Sequence, residues 1–357
     1  MTIPGDLEAR LRRSAAGSFP ALGTDPAVVI GRVQVRPRST LIRCTVGVGP
    51  EVVRLVVKIP RLIDRPPSSR PRVIPDTPAR EKAGLEAATL RAIDADLRAA
   101  PDPRLGSVRI IDVYDDLGAI VMTEADGVPL SGLLLRAAGR RAGRRRGARL
   151  SVALASAGAW LRRFQAIGLA AERPARLTTR TDVVGLARSI GEFLAPRTSR
   201  PGLVADIVEQ FADVADTTFP LEIPMGLHHG DFAIRNLLIG SDGRLTAIDA
   251  LGRWRMPIHD DLARIIVAIE TSRIQATSFG LAFGPAEVTA LADAILSGYG
   301  SDGVDPAAVR VYAVLILLDR WAARADRRSR QARWLGRISD ATSDRRYEGI
   351  ARRLLAP

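Results

Sequence analysis

Apolar positions recur along the chain with two different periods. Residues 29–35, 41–48 and 52–59 are rich in β-branched side chains and read as strands. The turn signal GVGPE at 47–51 joins the last two as a hairpin. Six prolines between Pro60 and Pro78 mark a loop, after which residues 79–97 turn rich in Ala, Glu, Leu and Arg. Leu85, Ala88 or Thr89, and Ile93 fall there at helical spacing and predict a helix. Residues 108–113 and 119–123 predict two more strands, closed by the polar EADGVP. The first 130 or so residues thus read as a small sheet with one helix.

Beyond residue 150 the period becomes helical. Residues 151–167 put Leu154, Gly158, Leu161 and Phe164 or Gln165 on one face, and 182–194, 202–214, 260–271, 285–296 and 305–323 predict five further helices. A short β-like island, 227–248, interrupts them, and no internal repeat is present. The expected fold is α+β and bilobal: an N-terminal lobe over 1–124, a hinge and Arg-rich connector over 125–149, and a helical C-terminal lobe over 150–357.

Composition narrows the class. With 357 residues, 46% hydrophobic and 25% charged, wholesale disorder is excluded. The longest charge-free run, 274–286, is shorter than the roughly 18 residues of a membrane span, and the start MTIPGDLEARLRR lacks an apolar signal core. A soluble cytoplasmic protein is the expectation. The single cysteine, Cys44, sits in the apolar run LIRCTV, so it is read as a small buried hydrophobe. The net charge is +13, and only Lys58 and Lys82 among the 52 basic residues are lysines. Seven arginines and no acid crowd residues 135–150. That block reads as a solvated loop, although such charge also suits nucleic acid or peripheral contact with an anionic membrane surface. Nucleic acid is disfavoured, because no zinc spacing or recognition motif accompanies the charge and aromatic residues for stacking are few.

All three histidines, His228, His229 and His259, lie on or beside the β-island. Asp242-Gly243 is a strong turn pair, with 237–239 leading in and 245–248 leading out. Asn236 and Asp249 are then nearly equidistant from the turn and should emerge side by side at its open end. An amide oxygen and a carboxylate make a suitable hard-oxygen pair for Mg2+ bound against phosphates. Asp231, five residues before Asn236 in a glycine-containing loop, falls at the mouth of the same pocket.

HGDFAIRN, followed thirteen residues after its asparagine by the aspartate of AID, resembles the catalytic signature of the aminoglycoside and choline phosphotransferases. An ordered series extends the resemblance over most of the chain: the strand RLVVKIP with Lys58, the helix AREKAGLEAATLRAI, the hinge-like MTEADGVPL, the HGD loop, Asp249 and DDLA at 260–263. The resemblance implies a protein-kinase-like fold and transfer of the γ-phosphoryl group of ATP to a small-molecule hydroxyl. It implies that Asp231 accepts the acceptor proton and that Asn236 and Asp249 hold Mg2+. Lys58 is implied to reach the α- and β-phosphates, steadied by a helix glutamate, Glu86 or Glu81, with Glu86 slightly favoured. Thr123 and Ala125 would present backbone groups to the adenine edge, and Ser39, in a first turn without glycine, would face phosphate. Asp261 would buttress the loop and His229 would be scaffold, with His228 and His259 ordinary packing residues.

Arg235 departs from the family pattern and puts a cation beside Asn236, either to grip an anion or to face solvent. Seven arginines against Asp326 over 320–337 favour a neutral or anionic acceptor, such as a sugar, a nucleoside or a lipid-linked alcohol, over a polycation. The alternative reading is a catalytically silent, nucleotide-binding member of the fold.

Overall fold

A computed structural model describes residues 5–37, 39–49, 51–61, 70–74, 77–138, 144–278, 280–300, 304–330 and 336–356. In chain order the first elements are α1 (Leu7–Ser18), β1 (Val28–Val35), β2 (Ser39–Val46), β3 (Val53–Pro60), α2 (Ala79–Ala99), β4 (Leu105–Gly106), β5 (Ile110–Tyr114) and β6 (Ala119–Thr123). Next come β7 (Val128–Pro129), α3 (Leu130–Ala137), α4 (Arg144–Gln165), α5 (Arg180–Leu194), α6 (Pro201–Thr218), β8 (Met225–Leu227), β9 (Leu237–Ile239), β10 (Leu245–Ala247) and β11 (Arg255–Pro257). The chain closes with α7 (His259–Glu270), α8 (Arg273–Thr277), α9 (Pro285–Tyr299), α10 (Pro306–Arg330) and α11 (Gly336–Leu355).

These elements form two compact units. The first gathers Met1–Pro66, Asp76–Gly127 and Leu238–Leu251; the second gathers Pro67–Pro75, Val128–Leu237 and Gly252–Pro357. The hairpin segment 238–251 therefore belongs with the sheet-containing unit and not with the helices around it in sequence. The reason is strand pairing: β10 runs parallel to β4, with Leu245 opposite Leu105 and Thr246 opposite Gly106.

In the first unit, an antiparallel sheet has the order β1-β2-β3-β6-β5. Strand β2 shows the period of two directly: Thr40, Ile42, Cys44 and Val46 are buried and the residues between them are not. Cys44 is core, as its apolar setting predicts, and burial pushes its thiol up to about 11. The helix α1 was not expected. Its buried residues are Leu7, Leu11 and Ala15, which pack with Ile42, Leu55, Val57 and Val121, so arginines on its other sides mask a narrow apolar stripe. Among the described residues the region thus holds two α-helices, one more than its periodicity predicts.

In the second unit, α10 is the central element. Its run 311–318, VYAVLILL, is buried on every side, which suits a helix enclosed by others. The α5 stripe Val183, Ala187, Ile190 and Leu194 and the α6 residues Leu203, Ile207 and Phe211 join it in one core. Helices α4 and α9 approach so closely that a Cβ on Gly298 would come within 1.9 Å of the Ala155 carbonyl oxygen, and one on Gly158 within 2.0 Å of that of Ile295. The hinge and Arg-rich connector is not a plain loop, since α3 lies within it with Leu130 and Leu134 buried one turn apart and α4 begins at Arg144. Residues 139–143 lie outside the described residues, as do 331–335 of the second arginine run. Among the described residues, no helix is long and apolar enough to cross a membrane.

Candidate active site

The first unit builds its polar cluster on β3 and α2. Leu55 and Val57 point into the core of the α1 side, so Lys58 emerges on the opposite face. There Nζ donates to both carboxylate oxygens of Glu86, at 2.7 Å each, and to Asp249 Oδ1 at 2.7 Å. Glu86 is 4% exposed. Burial works against the Lys58 charge, but Glu86 and Asp249 overcome it and hold the ammonium pKa above its ordinary value. Burial raises the Glu86 pKa, with Lys58 opposing. Glu81, five residues earlier on the same helix, takes no part in the Lys58 bonds. Asp249 follows β10 in the left-handed region at φ 63°, a conformation that a non-glycine residue holds only where its surroundings fix it. One such restraint is Thr89 of α2, whose hydroxyl donates to the Leu251 carbonyl at 3.2 Å.

Thr123 and Ala125 leave the sheet at the end of β6. The Thr123 N–H donates to the Arg109 carbonyl and its hydroxyl accepts from the Arg109 N–H, each at 2.9 Å. Ala125 lines a cavity of about 490 Å³ together with Asp102, Glu124, Arg244 and Thr246. Ser39 opens β2, its carbonyl accepting from the Arg36 N–H at 2.8 Å.

The second unit holds the HGD loop. Strands β8 and β11 pair antiparallel, with Leu227 opposite Arg255, and the His228 N–H donates to the Trp254 carbonyl at 2.9 Å. Gly230 has φ 89°, the positive backbone angle that lets the chain turn before Asp231. Asp261 fastens this turn from below, accepting from the His229 N–H at 2.8 Å and the Gly230 N–H at 3.3 Å. His229 packs edgewise on Trp160 and Phe232, and its Nδ1 accepts from the Asp231 N–H at 3.3 Å. Asn236 Nδ2 donates to the Asp231 carbonyl at 2.9 Å and to Asp231 Oδ2 at 3.0 Å. With both donors committed, its amide oxygen is the atom left to serve a cation, a hard-oxygen ligand of the kind Mg2+ takes. Arg235 stays largely exposed yet turns back onto the loop, one guanidinium nitrogen lying 2.5 Å from each carboxylate oxygen of Asp231.

His228 is more than a packing residue. Its Nε2 lies 2.7 Å from Asp260 Oδ1, and Arg264 Nε donates to the same oxygen at 2.5 Å. Burial opposes ionisation of Asp260, but Arg264 and His228 outweigh it and hold its pKa well below the usual range. His228, Asp260 and Asp261 place ligand-type atoms within 4.8 Å of one another, and Arg264 supplies the cation on Asp260. Sequence reasoning missed Asp260 and Arg264, although their i, i+4 spacing on a helix was a usable signal.

No protein-family model matches the sequence, and no curated protein matches it either. Solved structures do. The macrolide 2'-phosphotransferase of Brachybacterium faecium is 14% identical, with 99% of each chain covered and a TM-score of 0.52. The chain has the fold of the small-molecule phosphotransferases. A glucosamine kinase solved with glucosamine, ADP and inorganic phosphate has this fold too, at 18% identity, 91% and 82% coverage and a TM-score of 0.52. So does a spectinomycin phosphotransferase solved with ADP and spectinomycin, at 11% identity, 97% and 98% coverage and a TM-score of 0.51. Within this phosphotransferase fold, the bilobal α+β expectation holds.

Proposed function

We propose that the chain is an ATP- and Mg2+-dependent phosphotransferase that moves the γ-phosphoryl group to a hydroxyl of a small molecule. The observation that carries this reading is the half-buried Lys58, held by Glu86 and by Asp249, whose own backbone is left-handed. A lysine fixed by two carboxylates is a point charge set in advance for phosphate oxygens. The fold shared with solved kinases supports the same reading.

On this reading the acceptor oxygen bonds to the γ-phosphorus, the bond to the ADP oxygen breaks, and the acceptor proton passes to Asp231. Asn236 orients Asp231 through its two amide donations, and Asp261 fixes the loop backbone that carries both. Lys58 receives the α- and β-phosphates, with Glu86 as its helix partner; Ser39 borders the phosphates, and Thr123 and Ala125 offer backbone groups to adenine. Asn236 and Asp249 would each give an oxygen to Mg2+, which would offset the negative charge of the phosphates. The acceptor is read as neutral or anionic, and the catalytically silent alternative is separated by turnover.

The test is Mg2+-dependent formation of ADP and a phosphorylated product across a panel of sugars, nucleosides and amino alcohols, followed by mass spectrometry. Asp231→Ala is expected to lower kcat by about 100-fold to 10,000-fold while ATP affinity stays within a few fold. Near-full activity in that variant would remove Asp231 from the reaction.

A further inference from the structure

The HGD turn rests on a layer of buried charge that extends past Asp261. Asp260 and Asp261 follow each other in the first turn of α7, both 0% exposed, and His228 is 3% exposed. His228 Nε2 lies 2.7 Å from Asp260 Oδ1 and 3.4 Å from Asp261 Oδ1. Each carboxylate has a second set of partners. Asp260 accepts from Arg264 Nε at 2.5 Å on Oδ1 and from a terminal Arg264 nitrogen at 3.4 Å on Oδ2. Asp261 accepts from the main chain of the turn, the His229 N–H on Oδ2 and the Gly230 N–H on Oδ1. The imidazole of His228 therefore links the Arg264 ion pair to the clamp under the turn.

The neighbours decide where the ring proton resides. Arg264 and His228 hold Asp260 ionised against its burial, and an ionised carboxylate only accepts hydrogen bonds. Nε2 must then carry the hydrogen of the 2.7 Å contact. Two carboxylates packed side by side out of water repel, and a donor within reach of both offsets that repulsion. The Asp261 oxygen that Nε2 approaches is also the one that accepts from Gly230, so the ring bears on the atom that fixes the turn. The ring lies beside the turn as well, since a Cβ built on Gly230 would sit 3.8 Å from His228 Cε1 and Nδ1. The residue that follows Gly230 is Asp231, whose N–H donates to His229 Nδ1.

We propose that His228 is a positioning residue for phosphoryl transfer. Its Nε2–H, set against Asp260 and Asp261, keeps the Asp261 carboxylate turned to the main chain at 229 and 230 and so aims Asp231 at the acceptor hydroxyl. This role rests on the phosphotransferase reading and adds to it a residue that touches neither nucleotide nor acceptor.

The test compares the full chain with His228→Phe, which keeps a ring and removes the donor, and His228→Gln, which keeps an N–H donor where the imidazole has Nε2. With an acceptor that the panel shows to be phosphorylated, His228→Phe should lower kcat by about tenfold to a hundredfold while KM for Mg-ATP stays within about twofold, because a small misplacement of a reacting group costs rate and not nucleotide binding. His228→Gln should restore most of the loss. In the wild-type protein, long-range proton–nitrogen NMR of 15N-histidine label should show hydrogen on His228 Nε2, and amide exchange at His229 and Gly230 should be about tenfold or more faster in His228→Phe than in wild type or His228→Gln, with α10 unchanged. An unchanged kcat in His228→Phe, a loss equal in His228→Gln, or a rise in KM for Mg-ATP without a fall in kcat overturns the proposal. So does a ring protonated on Nδ1 alone. If Mg-ATP is neither bound nor turned over by the wild type, the phosphotransferase reading fails, and the NMR and exchange measurements still decide whether His228 fixes the turn. If His228→Phe does not fold, His228→Asn, too short to place a donor at Nε2, takes its place and should lose what His228→Gln keeps.

Discussion

The two polar clusters are built to opposite specifications. In the first unit Lys58 and Glu86 are 13% and 5% exposed at their side chains, and three bonds of 2.7 Å hold the ammonium in place. In the second, Asp231 and Arg235 are 47% and 60% exposed, paired only with near neighbours on one loop. On the proposed function, a group that serves an invariant phosphate chain gains from being fixed before the ligand arrives, because no reorganisation is then needed. A group that receives a hydroxyl has to remain reachable. The second unit moves its rigidity one layer down, to Asp261, which holds the loop backbone, and Asp260, which holds the His228 ring, both 0% exposed, and leaves the carboxylate of Asp231 accessible.

This contrast is broken most severely at Lys58. Lys58→Met leaves the carboxylates of Glu86 and Asp249 without the ammonium that both bond, one of them deeply buried, and is expected to cost about 3–5 kcal/mol of stability in denaturant unfolding. Lys58→Met combined with Glu86→Leu should recover much of that loss, since the uncompensated buried charge goes with its partner. A recovery absent in the double variant would mean that the triad is not the source of the cost.

A smaller effect is expected at His259, 3% exposed and stacked on Tyr312 at the start of α7. Burial, only partly opposed by Asp305, pushes its pKa down to about 4. Its unfolded value is about 6.5, so between those pH values the unfolded chain takes up a proton that the folded chain refuses. Stability from this residue is complete above about pH 6.5 and is lost as pH falls toward 4, by about 3 kcal/mol in all. His259→Phe should flatten that part of the stability profile, measured by urea unfolding across the range.

The exposed pair should matter least to stability. Arg235→Ala is expected to change unfolding free energy by less than about 1 kcal/mol, as for other solvent-screened ion pairs. A larger loss in urea titration would show that the loop depends on Arg235, and the distinction between the two clusters would fail.

Much of this arrangement was legible in the sequence where local chemistry decides the outcome. Richness in β-branched residues revealed β2, the Asp242-Gly243 turn located the hairpin, and the rarity of lysine singled out Lys58. What escaped was decided by tertiary contact. Helix α1 is invisible because its apolar stripe is three residues wide among arginines. The hairpin segment joins the first unit through pairing with β4, a two-residue strand too short to leave a pattern. Glu86 and Glu81 both sit on α2, and only the packed structure decides which of them meets Lys58. Arg320 looked like one member of a surface charge run, and its burial beside Arg264 emerges only once α7 packs on α10.

The central claim is that the Lys58 cluster belongs to a nucleotide site, and thermal melting with Mg-ATP tests it most directly. At a hundredfold excess over Kd, Mg-ATP should stabilise the wild-type protein by about 2.7 kcal/mol, and the upward shift in Tm should disappear in Asp249→Ala. A well-folded wild-type protein whose Tm does not move with saturating Mg-ATP would contradict the account.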